Sequence, residues 1–569
     1  MTNLGLIRKV GNVLSDPVLR RWLAGRVFKR WPGHSSFVAS RPPYLDDLMP
    51  LSDEQATKNY TSFEPLRPQA PITIDLAGSS VTVRPGEEAK LFERTFDDTE
   101  TLLALHRFAW MPVISAIDRH WVAAMWTAWR SRFGNTDEGW EWHPYTAAER
   151  AVNLLAFGRR HGLPEPYQTN LACLAGHGAA IARRLEYYGD HNTSNHLANN
   201  GRGLYILGLE LGMPSATAIG LRIVLNEARR IFGLSGMLRE GSSHYHLLYV
   251  RNYLECWLAA QRHGRPEAAE LLGVAQRALA AATPLRLAGG LPLIGDISPD
   301  CAPDHLDCLT TGRIEGWIAT LPPIERKSAI ALHATAGSVD TKTLATDGWI
   351  HGAHGPWSAL WHYAPDGWIQ MPGHGHQDLG SAEIHYGDIA LIRDPGRGRY
   401  GTATDDLIYT AGEMHNTLLV DGADPYPPNK PYYDSVFRRS VIARPPRRHR
   451  LDDGLTLEHD GFTRLGGIGT ATRSWHFNGD LCAIEDRVEG QGRHTIERHF
   501  IVPHAVTVED GIAIIDAGGK RFRLSGDVKC RASGMQVWQA YNRARPATRL
   551  TFRVTANLPW DGRIELHPL

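Results

Sequence analysis

The sequence predicts an α+β chain in two main parts, a helical half followed by an antiparallel β-sandwich, and three observations carry that expectation. Between about residues 97 and 284 apolar side chains recur at three- and four-residue spacing, as in AAERAVNLLAFGRRHG and ATAIGLRIVLNEARRIFG, and several segments close on Gly. After about residue 349 the texture becomes alternating and is broken by Gly, Asp and Asn, as in SAEIHYGDIALIRD, RSWHFNGDLCAIEDRVEG and AVTVEDGIAIIDAGGKRFRLSG. Between them lies the turn-rich stretch LAGGLPLIGDISPDCAPD. Helices of about 12–18 residues with short connectors stack as hairpins, in a bundle or an α/α toroid.

In chain order, residues 1–70 form an arm that ends in the Pro-rich connector FEPLRPQAP, residues 71–335 the helical domain and residues 336–569 the sandwich. Ile72 to Val83 alternate enough for a short strand or two. The N-terminal stretch has no uninterrupted apolar segment of the kind that directs export, so a cytoplasmic location is expected, with the periplasm as the alternative. From Val18 to Trp31, Leu19, Trp22, Leu23 and Val27 share one helical face beside Arg20, Arg21, Arg26, Lys29 and Arg30. Such a face either docks on its own domain or makes peripheral contact with an acidic membrane surface; no run of 18 apolar residues crosses one. With 61 basic and 61 acidic residues there is no global field to favour nucleic acid, so any anionic ligand must meet a local patch. The six cysteines are scattered, without C-x-x-C pairs, and read as buried thiols rather than disulfides or a zinc finger.

Four segments concentrate groups able to do chemistry. HNTSNHLANNGRGL, from His191 to Leu204, places Asn192, Asn195, Asn199 and Asn200 with two histidines at a helix start. One such residue suffices for capping, and a dense polar cluster is expensive to bury without partners. EGSSHYHLLYVRNYLE carries Tyr245 and Tyr249 about one helical turn apart, which is also ordinary packing spacing. MPGHGHQDLGSAEIHYGDIALIRDPG points His374, His376 and Asp378 to one face if extended. TAGEMHNTLLVDG adds His415. Two histidines with Asp394 or Asp378 suit zinc, or alternatively form a hydrogen-bonded network.

Together with WHPYTAAERAVNLL, these segments resemble, in the same order, the recurring segments of heparinase II/III-like and related alginate lyases. The resemblance runs from about residue 100 to 505. It implies an incomplete (α/α) toroid followed by an antiparallel β-sandwich. It also implies cleavage of a uronic-acid-containing polysaccharide by β-elimination. In that reading Asn195 and His196 neutralise the uronate carboxylate, Tyr245 and His374 transfer protons, and Tyr409 is a further active-site aromatic. Trp142, His143, Tyr145, His191 and Asn199 contact substrate, while His376, Asp394 and His415 hold a structural zinc ion. Asn199 and Asn200 stand where some relatives carry an acidic residue, and DHNTS lengthens the loop before Asn195. The other functions compatible with these residues are a non-catalytic polysaccharide-binding or assembly protein and a zinc hydrolase.

Two further stretches suit an anionic sugar chain. Six tryptophans, Trp110, Trp121, Trp126, Trp129, Trp140 and Trp142, fall within 33 residues, of which about two are expected in the cleft and the rest in the core. The basic run from Arg438 to Arg450 either meets that chain or is a solvated loop.

Overall fold

The computed structural model describes residues 16–28, 30, 38–51, 54–114, 117–136, 138–401, 407–442 and 444–569; Lys29, Trp31 and Asp137 lie outside them. Among the described residues, helical hairpins of an incomplete (α/α) toroid come first. The principal helices are Thr99–Arg107, Arg119–Phe133, Pro144–His161, Tyr167–Arg183, His196–Leu211, Pro214–Ile231, Ser243–Arg262 and Ala268–Ala282, with Pro323–Ala336 closing the series. Their periodic apolar faces converge on one core that includes Trp110, Trp126, Trp129, Leu204, Tyr249 and Leu254. Ile72–Leu76 and Ser79–Val83 pair as an antiparallel hairpin turned at Gly78.

The C-terminal half is built of antiparallel sheets. An eight-stranded sheet runs in the order Arg447–Leu451, Gly454–His459, Ile468–Asn478, Leu481–Gly490, Trp560–Pro568, Lys520–Gly526, Ile512–Ala517, Ala505–Glu509. A four-stranded sheet joins Cys530–Ala540, Arg543–Asn557, Arg493–Val502 and Leu418–Val420; another joins Trp349–His354, Trp357–His362, Ala382–Tyr386 and Ile389–Ile392. Alternation along these strands turns Trp361, Ile384, Trp475, Ile484, Phe500, Phe552 and Ile564 inward to a shared core. All six cysteines are free, four of them buried.

The N-terminal basic helix docks on its own domain, one of the two arrangements the sequence allowed. Pro17–Val27, capped by Asp16 Oδ1 on the Val18 and Leu19 N–H groups at 2.9 and 3.0 Å, buries Val18, Leu19 and Trp22 in the β-domain core. The Trp22 ring lies 4.4 Å from that of Tyr432. Most of the apolar face is therefore covered by the chain's own domain, with Val27 left exposed at its end. Among the described residues no helix is long and apolar enough to cross a membrane.

Candidate active site

The candidate site lies on the seam between the two halves. The turn before helix Ser243–Arg262, the loop around Asp296 and the segment around His374 come together there by backbone hydrogen bonds. His374 N donates to Glu240 O at 2.7 Å, Asp296 N to His374 O at 2.9 Å and Ile297 N to Arg397 O at 2.8 Å. Glycine permits this approach: a Cβ on Gly295, whose φ is +79°, would lie 2.4 Å from Gly241 O and 2.7 Å from His374 O. Ser242 caps the helix by accepting from Tyr245 N at 3.1 Å, and its hydroxyl donates to Asp296 O at 2.7 Å.

Asn195 and His374 face each other across this seam. His374 Nδ1 lies 3.0 Å from Asp296 Oδ2, and its Nε2 lies 3.2 Å from Asn195 Nδ2. An amide nitrogen only donates, so Nε2 is the acceptor and Nδ1 carries the hydrogen that goes to Asp296. The second Asn195 N–H donates to Glu240 Oε2 at 2.5 Å, while Tyr249 O–H points at the Asn195 backbone oxygen and Oδ1, each 2.7 Å away. Asn195 precedes helix His196–Leu211 without capping it by its side chain, which leaves the amide for this network. The His374 ring stacks on Tyr245 with centroids 3.6 Å apart. Tyr245 O–H meets the Tyr400 oxygen at 3.0 Å, and Tyr400 O–H donates to Ile297 O at 2.8 Å. Burial holds the Tyr245 phenol well above its ordinary pKa of 10, so it stays protonated. Burial would raise the Asp296 carboxyl, but hydrogen bonds from His374 and His376 outweigh that and keep it ionised.

Beside this centre is a second set on the helical wall. Glu186 Oε1 lies 2.7 Å from His196 Nδ1 and 3.5 Å from His143 Nε2, and Asn200 Nδ2 donates to Oε2 at 3.0 Å. Burial would lower the pKa of His196, but the Glu186 charge and hydrogen bond outweigh it, so it lies above 6.5. For His143 burial prevails and the pKa falls. His196 therefore carries the proton of the pair, and its side chain is 44% exposed.

His376, Asp394 and His415 also converge, with one donor atom from each within 4.8 Å of the others. His415 Nδ1 lies 2.8 Å from Asp394 Oδ2, and its Nε2 donates to Tyr409 O at 3.0 Å. His376 Nε2 donates to Asp296 Oδ1 at 2.9 Å, leaving a buried Nδ1 without a partner. Two imidazoles and a carboxylate, each imidazole oriented through its other nitrogen, are a donor set that fits zinc. Asp378 lies instead 3.1 Å from His362 Nδ1.

The structure separates the other candidates. His143 and His191 present accessible side chains, but Trp142, Tyr145 and Asn199 are buried and do not offer themselves to substrate. Trp142 Nε1 donates to Phe133 O, Tyr145 O–H to Asp300 Oδ2 at 2.5 Å, and Asn199 Oδ1 accepts from Arg202. Their inward turn on helices corrects the expectation of direct contact. Of the six tryptophans only Trp140, 52% exposed, is open; its ring lies 5.7 Å from His143. Tyr409 packs on Trp538 in a small side core and meets His415 through its backbone oxygen. Tyr400, not Tyr409, brings a hydroxyl to Tyr245. In the basic run, Arg444 pairs with Asp460 and Arg447 with Glu458, each at 2.7 Å. Glu240, Asp296 and Tyr400 had no role in the sequence reading; the only local hints were Glu240 before Gly-Ser-Ser and Asp296 inside the turn-rich loop.

Residues 338–561 match the family model described as heparinase II/III-like, C-terminal. A crystal structure of heparinase III is similar over 84% of this chain and 79% of its own, with a TM-score of 0.60 at 13% identity. The heparan sulfate lyase HepC from Pedobacter heparinus is similar over 84% and 78%, with a TM-score of 0.52 at 14% identity. No curated protein matches the chain. Residues 338–561 thus carry a heparinase II/III-like C-terminal domain, and the chain as a whole shares the fold of these structures.

Proposed function

We propose that this protein is a polysaccharide lyase that cleaves a uronic-acid-containing chain by β-elimination. The observation that carries the proposal is the His374 imidazole, fixed by Asp296 at Nδ1, accepting at Nε2 and stacked on Tyr245. In the elimination a base takes the proton from C5 and the freed pair forms the C4–C5 double bond. The C4–O4 bond breaks, and O4 receives a proton. His374 Nε2 is the base, because Asp296 stabilises the imidazolium it becomes. Tyr245, kept protonated by burial, is placed to give the proton to the leaving oxygen.

The C5 proton is removable only when the neighbouring carboxylate is neutralised. His196, held cationic by Glu186, supplies the charge, and the Asn195 amide beside it supplies a donor once the substrate carboxylate competes with Glu240. Preorganised donors of this kind contribute about 3–4 kcal/mol each. His376, Asp394 and His415 would hold a zinc ion whose chemistry is structural, fixing the segment that presents His374. Incubation with a panel of uronate polymers should yield the ultraviolet absorbance of an unsaturated product. New reducing ends without that absorbance would refute elimination.

A further inference from the structure

We propose that Asp296 is a positioning residue that couples the metal-binding histidine to the proton-transferring one. This rests on the roles given above to His374 and His376 but adds a connection between them. The two histidines are separated only by Gly375, yet their rings do not meet each other through the chain. They meet through one carboxylate: Oδ2 accepts from His374 Nδ1 at 3.0 Å, and Oδ1 from His376 Nε2 at 2.9 Å. That carboxylate belongs to the other domain, where Ser242 and the backbone of His374 anchor its main chain. Arg397 NH1 adds a contact to Oδ1 at 3.3 Å.

The geometry gives each oxygen a separate task. The bond to Oδ1 holds the His376 hydrogen on Nε2, which leaves the buried, unpartnered Nδ1 as the nitrogen that would serve as a ligand with Asp394 and His415. The bond to Oδ2 holds the His374 hydrogen on Nδ1, which leaves Nε2 to accept. His376 Nδ1, when ligated, would make Nε2–H a stronger donor to Oδ1 and so tie the Asp296 carboxylate more firmly to both rings. Metal occupancy and the orientation of His374 are thereby linked across the domain seam. Removing outer-shell partners of this type typically weakens metal binding or activity by about 10–100-fold.

The test uses full-length protein with ¹⁵N-labelled histidine, stripped by chelator and titrated with zinc. In the unaltered protein, zinc should shift the ring ¹⁵N resonances of His374, assigned by their loss in His374→Gln. In Asp296→Asn, zinc should bind about 10–100-fold more weakly and leave the His374 resonances in place. On a cleaved polymer the same variant should lose kcat with KM nearly unchanged. Asp296→Glu, which keeps the charge but displaces it, provides a second variant should the first fail to fold. The proposal is overturned if zinc does not bind the unaltered protein or leaves its His374 resonances unmoved, or if either folded variant retains full zinc affinity and response. If no polymer is cleaved, the lyase reading fails while the resonance and affinity measurements still decide this coupling.

Discussion

The two walls of the site are built differently. The helical wall contributes Asn195, Glu240, Tyr245 and Tyr249, from the starts of two packed helices and the turn before one of them. Asn195 bonds to Glu240 and Tyr249, and Tyr245 to Tyr400. The β wall contributes His374 and His376 from a segment between strands Trp357–His362 and Ala382–Tyr386 that has no strand of its own. That segment depends on bonds across the seam, to Glu240 and Asp296, and on the His376, Asp394, His415 cluster. On the helical wall Asn195, Glu240 and Tyr249 are tied to one another within one domain, whereas the β wall is held in place by partners across the seam. Substitutions on the β wall should act mainly on turnover, and those on the helical wall should divide between turnover, folding and binding.

The largest effects belong to the two stacked rings. His374→Ala and Tyr245→Phe should each lower kcat by roughly 10²–10⁴-fold, the range for losing a positioned proton donor or acceptor. Unchanged circular dichroism and melting would show that the fold persists. Full turnover in both variants would break the comparison at its centre, because the β wall would then present nothing that reacts.

Next in size is a folding effect on the helical wall. Trp142 is buried against His177 and Arg150, with ring centroids 4.8 Å apart in the first pair. Trp142→Ala should cost about 3–5 kcal/mol of stability, measured by denaturant unfolding, through the cavity it leaves. A stable variant that binds polymer poorly would instead return Trp142 to the cleft.

How far the sequence could be read follows from the same difference. Asn195, His374 and the His376, Asp394, His415 set were legible because the residue types are costly to place without a reason and recur in family segments. Glu240 and Asp296 were not, because each occupies a position with an ordinary local explanation, a helix entry and a turn. Asp296 is 78 residues from His374 in sequence. Its role exists only once the domains close. Trp142, Tyr145 and Asn199 show the opposite failure. They sit in segments rich in polar and aromatic residues, but which side of a helix turns inward depends on its neighbours. The change from helical to alternating texture survived because it sums over many residues.

The Glu186 pair gives a pH-dependent way to sharpen the comparison. The folded-state pKa of His196 lies above its ordinary 6.5, so its contribution to stability is fully present below about 6.5. That contribution is lost as pH rises through the elevated folded value. The same deprotonation removes the cation that meets the substrate carboxylate, so KM should rise over that window. Glu186→Gln should move both changes to lower pH and raise KM at neutral pH by about tenfold, the equivalent of roughly 1.4 kcal/mol. A pH profile of KM identical to that of the unaltered protein would remove His196 from carboxylate recognition.

The smallest expected effect tests where the helical wall ends. Trp140 is open to solvent and tilted against His143, whose imidazole leads through Glu186 to His196. An exposed indole beside this cleft offers a face for a sugar ring outside the cleavage point. Ring contacts of this kind contribute about 0.5–1.5 kcal/mol, so Trp140→Ala should raise KM by roughly 2–10-fold with kcat unchanged. The effect should appear with long oligosaccharides and vanish with the shortest substrate that is cleaved, because that substrate does not reach past His143. A loss of kcat instead would mean that Trp140 supports the His143, Glu186, His196 set from behind, and the binding surface would then stop at His143.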